Sequence, residues 1–90
     1  MKVNRKNLLY HEIIGLEVCI IKHLDPSLEG KCGRIFYETK NTIVLETDKD
    51  KLKILKKGAV LEFRVDSEKI IILGDELIGR PEDRAKNILK

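Results

Sequence analysis

Between Leu16 and Leu73 the apolar residues recur at every second position, in short runs cut by turn residues; no other feature restricts the fold as much. Side chains of a strand point alternately to its two faces, so each such run has one face to bury and one to leave in water. The pattern centres on residues 30–46. Ile35, Phe36 and Tyr37 lie in a run over 33–38, and Ile43, Val44 and Leu45 in a run over 42–47. Lys40-Asn41 stands between them, and Asn tolerates the left-handed backbone of a tight hairpin turn. Alternation puts Ile43 and Leu45 on one face, with Thr42, Val44 and Glu46 on the other.

Four further runs repeat the pattern. Leu16, Val18 and Ile20 alternate with Glu17, Cys19 and Ile21; Leu52 and Ile54 point inward from 51–56; Ala59, Leu61, Phe63 and Val65 alternate with Val60, Glu62 and Arg64; the last run covers 69–73. Asp25-Pro26-Ser27, Lys57-Gly58 and Asp66-Ser67 supply turns. Six short strands with tight turns predict a closed or nearly closed antiparallel barrel, and Gly30 and Gly33 supply the bend that curls its sheet. A short helix is predicted at each end. Asn7 caps residues 8–14 and Gly15 stops them; Leu9 shares a face with Ile13, and Tyr10 with Ile14. That apolar surface is too broad for a small barrel alone to cover, and another protein is expected on part of it. Pro81 starts the second helix, Glu82 and Asp83 favour its positive end, and Ala85, Ile88 and Leu89 form its stripe. Residues 1–6 are polar and basic and are expected to fray. The chain is read as one mainly β domain over 1–90.

The candidate chemistry is sparse. His11-Glu12 opens like a zinc-protease helix, but the fifth position, where the second histidine belongs, is Gly15. No Ser-His-Asp or Cys-His pattern is evident, and Gly58, Gly74 and Gly79 stand singly at turns rather than in a phosphate loop. No catalytic residue, metal site or cofactor is assigned to the chain. Cys19 and Cys32 lack Cys-x-x-Cys spacing and are too few for zinc; they are read as reduced thiols, and their spacing leaves open whether they meet on adjacent strands. No apolar run approaches the roughly 18 residues of a membrane span, and no signal-peptide pattern opens the chain, so the expected compartment is the cytoplasm.

The basic residues say more. A net charge of +3 permits an anionic partner without requiring one. Lys51, Lys53, Lys56 and Lys57 crowd one strand and its end, Lys31, Arg34 and Lys40 decorate the central hairpin, and Arg80 and Arg84 flank the start of the last helix. These nine are the candidate RNA contacts, made to phosphates rather than to base edges; a plain solvated face explains the lysines equally well. Phe36 and Tyr37 are the only adjacent aromatics, too few for a single-strand reader, which favours recognition of folded RNA by shape and backbone. If Ile35 faces inward, Phe36 is exposed, either as a protein interface or as a contact for a terminal helix.

Four stretches together resemble a known family: Leu8-Leu9-Tyr10-His11-Glu12-Ile13-Ile14-Gly15, the hairpin Gly33-Arg34-Ile35-Phe36-Tyr37-Glu38-Thr39-Lys40-Asn41-Thr42, Lys56-Lys57-Gly58-Ala59-Val60-Leu61-Glu62-Phe63, and Leu77-Ile78-Gly79-Arg80-Pro81-Glu82-Asp83-Arg84. Their order and spacing are similar to protein component 1 of archaeal ribonuclease P, related to a subunit of the eukaryotic ribonuclease P and MRP particles. The resemblance implies an Sm-like barrel. It also implies a non-catalytic subunit that helps a catalytic RNA, with its magnesium ions, remove the 5′ leader of precursor tRNA. The implied partners are the ribonuclease P RNA, precursor tRNA indirectly, and a small zinc-ribbon protein subunit. That subunit would dock on the N-terminal helical region and an adjacent strand, here Leu8, Leu9, Ile13 and Phe36. The isolated chain is expected to be a monomer. The rival readings are a protein-interaction scaffold that touches RNA incidentally and, behind it, an Sm-like ring former.

Overall fold

The computed structural model describes residue 8 and residues 12–79. The expected fraying of 1–6, the predicted helix from Pro81, and Leu9, Arg80 and Arg84 all lie outside the described residues. Six strands form one antiparallel sheet: β1 Glu17–Lys22, β2 Cys32–Glu38, β3 Thr42–Glu46, β4 Lys51–Leu55, β5 Val60–Val65 and β6 Glu68–Leu73. Their spatial order is β4-β3-β2-β1-β5-β6. The predicted Asp66-Ser67 turn joins β5 to β6 with both residues at positive φ, 50° and 68°. That is the backbone a two-residue hairpin between right-twisted strands demands. The turn predicted at Asp25-Pro26-Ser27 is a 3-10 turn over Pro26–Leu28, capped by the Asp25 carboxylate, which accepts from the Ser27 N–H.

One face of the sheet carries the core. Val18, Ile20, Ile35, Ile43, Leu45, Ile54, Leu61, Phe63 and Ile72 are all buried, as the period of two requires. The sheet curls until its far parts touch. His23, just past β1, hydrogen-bonds through Nε2 to the carbonyl of Leu55 at the end of β4, 3.1 Å away, although two strands lie between them in the sheet. Gly74, just past β6, lies so close to the chain after β4 that a Cβ there would sit 1.8 Å from the Lys56 carbonyl oxygen. The architecture is the expected Sm-like barrel. Among the described residues β4 and β6 are the two ends of the sheet order; the approach of Gly74 to the Lys56 carbonyl and the bond from the Lys56 ammonium to the Leu77 carbonyl bring them together.

Two details depart from strict alternation. In β2 the register passes from Ile35↔Leu45 to Tyr37↔Val44, so Phe36 is the extra residue of a β-bulge. Parity therefore flips after it: Ile35 and Glu38 are buried, whereas Tyr37, expected on the side of Ile35, is exposed. At the N-terminus Leu8 is helical, but Glu12 and Ile13 are not, and a turn follows at Ile14 and Gly15. The helix predicted to reach Ile14 thus stops earlier. The chain instead pairs with β2, with the Gly15 N–H donating to the Ile35 carbonyl at 2.8 Å and the Ile35 N–H to the Leu16 carbonyl at 2.9 Å.

Candidate nucleic-acid interface

The outer face of the sheet carries a row of charges that no single strand reveals. Cross-strand register places Lys51 opposite Glu46, Glu46 opposite Arg34, Arg34 opposite Glu17, Glu17 opposite Arg64, and Arg64 opposite Lys69. The row spans all six strands and holds four cations and two carboxylates. Directly opposed residues interact, so Glu46 and Glu17 separate Lys51, Arg34 and Arg64, while Arg64 and Lys69 face each other as like charges. Arg34 Nη2 donates to Glu17 Oε1 at 3.2 Å, both side chains being more than half exposed. Arg64 Nε lies 3.7 Å from Glu62 Oε1. Such exposed pairs contribute roughly 0–1 kcal/mol and leave the guanidinium groups able to exchange partners for a phosphate.

Beside this row stand the two exposed aromatics among the described residues, Phe36 and Tyr37. The Lys51 ammonium sits 3.9 Å from the centroid of the Phe36 ring, a cation–π contact. The neighbouring row runs Tyr37, Val44, Lys53. Phe36, Tyr37, Lys51 and Lys53 thus share the outer face of β2, β3 and β4. The bulge creates this grouping, because it turns Tyr37 out beside Phe36.

The nine candidate RNA contacts do not form one patch. Arg34, Lys51 and Lys53 lie on the outer face and are exposed. Lys31 is exposed just before β2, while Lys40 and Lys57 are exposed near the opposite ends of β2 and β4. Lys56 is a correction. It is fully buried, and its ammonium donates to Glu38 Oε2 at 2.7 Å and to the carbonyls of Thr39, Leu77 and Gly79 at 2.8, 2.8 and 3.0 Å, with Lys40 O at 3.3 Å. It shares the parity of Leu52 and Ile54, which points it inward, so it is no phosphate contact on this surface. Sequence reasoning also missed Arg64 and Lys69. The outward parity of Arg64 was readable, but the register that joins both residues to Arg34 was not.

The expected partner-protein residues divide in the same way. Leu8 and Ile13 are fully buried in the core, so neither is available on the surface of this chain, which corrects their assignment as an interface. The chain around Ile13 runs beside β2 and turns that side chain under the sheet. Phe36 keeps its exposure, and Ile14, part of the apolar surface expected to be covered by another protein, is exposed too.

Cys19 and Cys32 correct another expectation. They face each other across β1 and β2, with Cα atoms 4.0 Å apart, and form a disulfide rather than two thiols. Gly33, the next residue, lets β3 close on β2: a Cβ there would meet the Glu46 carbonyl oxygen at 2.3 Å. In the loop that the bridge closes, the Asp25 carboxyl is held below its usual pKa, chiefly by the Ser27 hydroxyl and then by the Ser27 N–H, both of which donate to it. Among the described residues no group of three or more His, Cys, Asp or Glu is placed to hold a metal ion, and no helix is long and apolar enough to cross a membrane.

Comparison with known proteins places the chain and its fold in context. "Ribonuclease P protein component 1" of Staphylothermus marinus is 42% identical over 92 residues, covering all of both chains. The protein of that name from Desulfurococcus amylolyticus is 46% identical over 90 residues, 98% of each chain. The solved structure of Mth11, a homologue of human RNase P protein Rpp29, superposes with a TM-score of 0.60 at 38% identity, covering 82% of this chain and 97% of Mth11. The model of the family described as "Ribonuclease P/MRP, subunit p29" matches residues 6–87. The barrel, the sequence match along nearly its whole length and the likeness to Mth11 agree: this chain belongs to the ribonuclease P/MRP subunit p29 family.

Proposed function

We propose that this chain is an RNA-binding subunit of ribonuclease P that carries no active site of its own and holds the catalytic RNA in its working fold during 5′ leader removal from precursor tRNA. The observation that supports this most directly is the exposed row Lys51, Arg34, Arg64 and Lys69 across the sheet of a member of this family. A row of cations spaced by strand separation around the curled sheet suits phosphates of a folded RNA and reads no base edge. Lys31, Lys40, Lys53 and Lys57 add exposed charge at the strand ends and edge. Phosphodiester cleavage is then the work of the RNA and its magnesium ions. Precursor tRNA is engaged indirectly, and the site of action is the cytoplasm.

The second reading, a protein-interaction scaffold, is favoured by the adjacent exposed aromatics Phe36 and Tyr37. The two readings combine if a zinc-ribbon subunit docks at Phe36 and the remaining cations face the RNA. The deciding experiment is precursor-tRNA cleavage by the cognate ribonuclease P RNA, with and without this protein and that subunit, across a magnesium series. Cleavage at lower magnesium when the proteins are present supports the proposal. An unchanged rate and magnesium requirement at every salt concentration refutes it and leaves the scaffold.

A further inference from the structure

The most unusual group in the barrel is the buried ammonium of Lys56. Removing a charge from water costs several kcal/mol even after relaxation, so a buried lysine persists only where its partners are excellent. Here the partners are the Glu38 carboxylate and four backbone carbonyls, sharing three N–H protons. Those carbonyls come from two separate places. Thr39 and Lys40 belong to the β2–β3 turn; Leu77 and Gly79 follow β6 at the other end of the sheet order. A direct backbone bond joins the same two places, the Gly79 N–H donating to the Lys40 carbonyl at 2.7 Å. The backbone of Lys56 is held on both sides as well, with its N–H on the Asn41 carbonyl at 2.9 Å and its carbonyl packed against Gly74.

The ion pair arises from two independent features of the sequence. The bulge at Phe36 turns Glu38 inward, and the parity of β4 turns Lys56 inward. They meet where the barrel closes. A hydrophobic pair of similar volume would fill that space, but it would not orient four carbonyls. One of the carbonyls that Lys56 orients belongs to a candidate RNA contact, the exposed Lys40.

We propose that Lys56, held by Glu38, is a positioning residue for RNA engagement. It ties the turn that carries Lys40 to the chain after β6, so that Lys40 is presented from a fixed backbone. Lys56 itself does not touch the RNA. This inference rests on the RNA-binding reading above, and the test separates the two.

The test uses the full chain and the cognate ribonuclease P RNA, with an unrelated RNA of equal length as control. Lys56→Met with Glu38→Leu removes both charges at once. It replaces the ion pair as a unit rather than breaking it, and such replacements are often neutral or stabilising. Amide hydrogen exchange reads the tie directly, because the Gly79 N–H is bonded to Lys40 O. In the double variant this amide should exchange at least about tenfold faster, the factor for losing one charge-assisted hydrogen bond, while Val18 and Phe63 in the sheet stay protected. The RNA affinity should fall, and the slope of log K against log salt should flatten by about 0.7 to 0.9 as Lys40 leaves a phosphate. Adding Lys40→Ala to the double variant should then cost less affinity than it costs the wild type.

Unchanged exchange at Gly79 overturns the tie. Faster exchange with unchanged affinity and slope overturns the positioning role and leaves a purely structural pair. If the wild type binds the cognate RNA no better than the control, the RNA-binding reading fails and the role falls with it, while the exchange result still reports whether the tie exists. Should the double variant not fold, Lys56→Gln with Glu38→Gln is a neutral pair that keeps part of the hydrogen bonding. The same outcomes decide with it.

Discussion

Opening the Cys19–Cys32 bridge should destabilise the protein by about 3 kcal/mol without changing its fold. The magnitude follows from the loop it closes, whose ends are 13 residues apart. In the chain-entropy account a loop of this size restricts the unfolded ensemble by about 3 kcal/mol at 25 °C. The native side should contribute little, because backbone bonds hold the same register around the bridge. The Ile20 N–H donates to the Lys31 carbonyl at 2.8 Å, the Gly30 N–H to the Ile20 carbonyl at 2.8 Å, and the Ile35 N–H to the Leu16 carbonyl at 2.9 Å. For a domain of this size 3 kcal/mol corresponds to a melting point lower by roughly 12 to 24 °C. The assay is urea unfolding of the oxidised protein, of the protein reduced with a phosphine, and of Cys19→Ser with Cys32→Ser. Thiol titration before each experiment establishes the redox state. The reduced protein and the double variant should share a midpoint well below that of the oxidised form, with superimposable native circular dichroism. Equal midpoints for oxidised and reduced protein would refute the loop-closure argument. Two titratable thiols in native protein purified without reductant would refute the bridge itself. In a compartment held reducing, the bridged fraction depends on the potential of this pair against that of its surroundings.

Other expectations follow from the same geometry. Lys51→Ala with Lys53→Ala should flatten the salt dependence of RNA binding by about 1.4 to 1.8 log units per log unit of salt if each touches a phosphate, and an unchanged slope would reduce them to a solvated edge. Phe36→Ala should weaken assembly with the proposed zinc-ribbon subunit, measured by titration calorimetry, while leaving thermal stability near wild type because the ring is about half exposed; unaltered assembly would remove Phe36 from that proposed contact. Phe63→Ala should cost about 3 to 5 kcal/mol in urea unfolding, since its ring is fully buried in the core; a loss under 1 kcal/mol would contradict the packing. Because the Asp25 pKa is lowered in the folded chain, its contribution to stability is present above the ordinary value of 3.8 and is lost as pH falls through the lowered value. A carboxyl-carbon NMR titration of Asp25 should therefore show a midpoint below 3.8, and Ser27→Ala should raise it towards that value.

Local rules were enough for the strands. Alternation at Leu16, Val18 and Ile20, at Ile43 and Leu45, and at Leu61, Phe63 and Val65 marks the buried face, because a side chain's direction in a strand depends only on its place in the chain. The turns at Asp25-Pro26-Ser27 and Asp66-Ser67 are written in residues whose backbone preferences are equally local. What such rules do not carry is register between strands. One extra residue at Phe36 reverses the direction of everything after it in β2, exposing Tyr37 and burying Glu38. The inward parity of Lys56 was already present in the spacing from Leu52 and Ile54, but a lysine is assigned inward only once a partner is known. That partner, Glu38, lies 18 residues away in the chain. The disulfide, the six-strand row from Lys51 to Lys69 and the burial of Leu8 and Ile13 share that character. Each depends on which residue of one segment faces which residue of another, and that pairing exists only once the sheet has curled and closed.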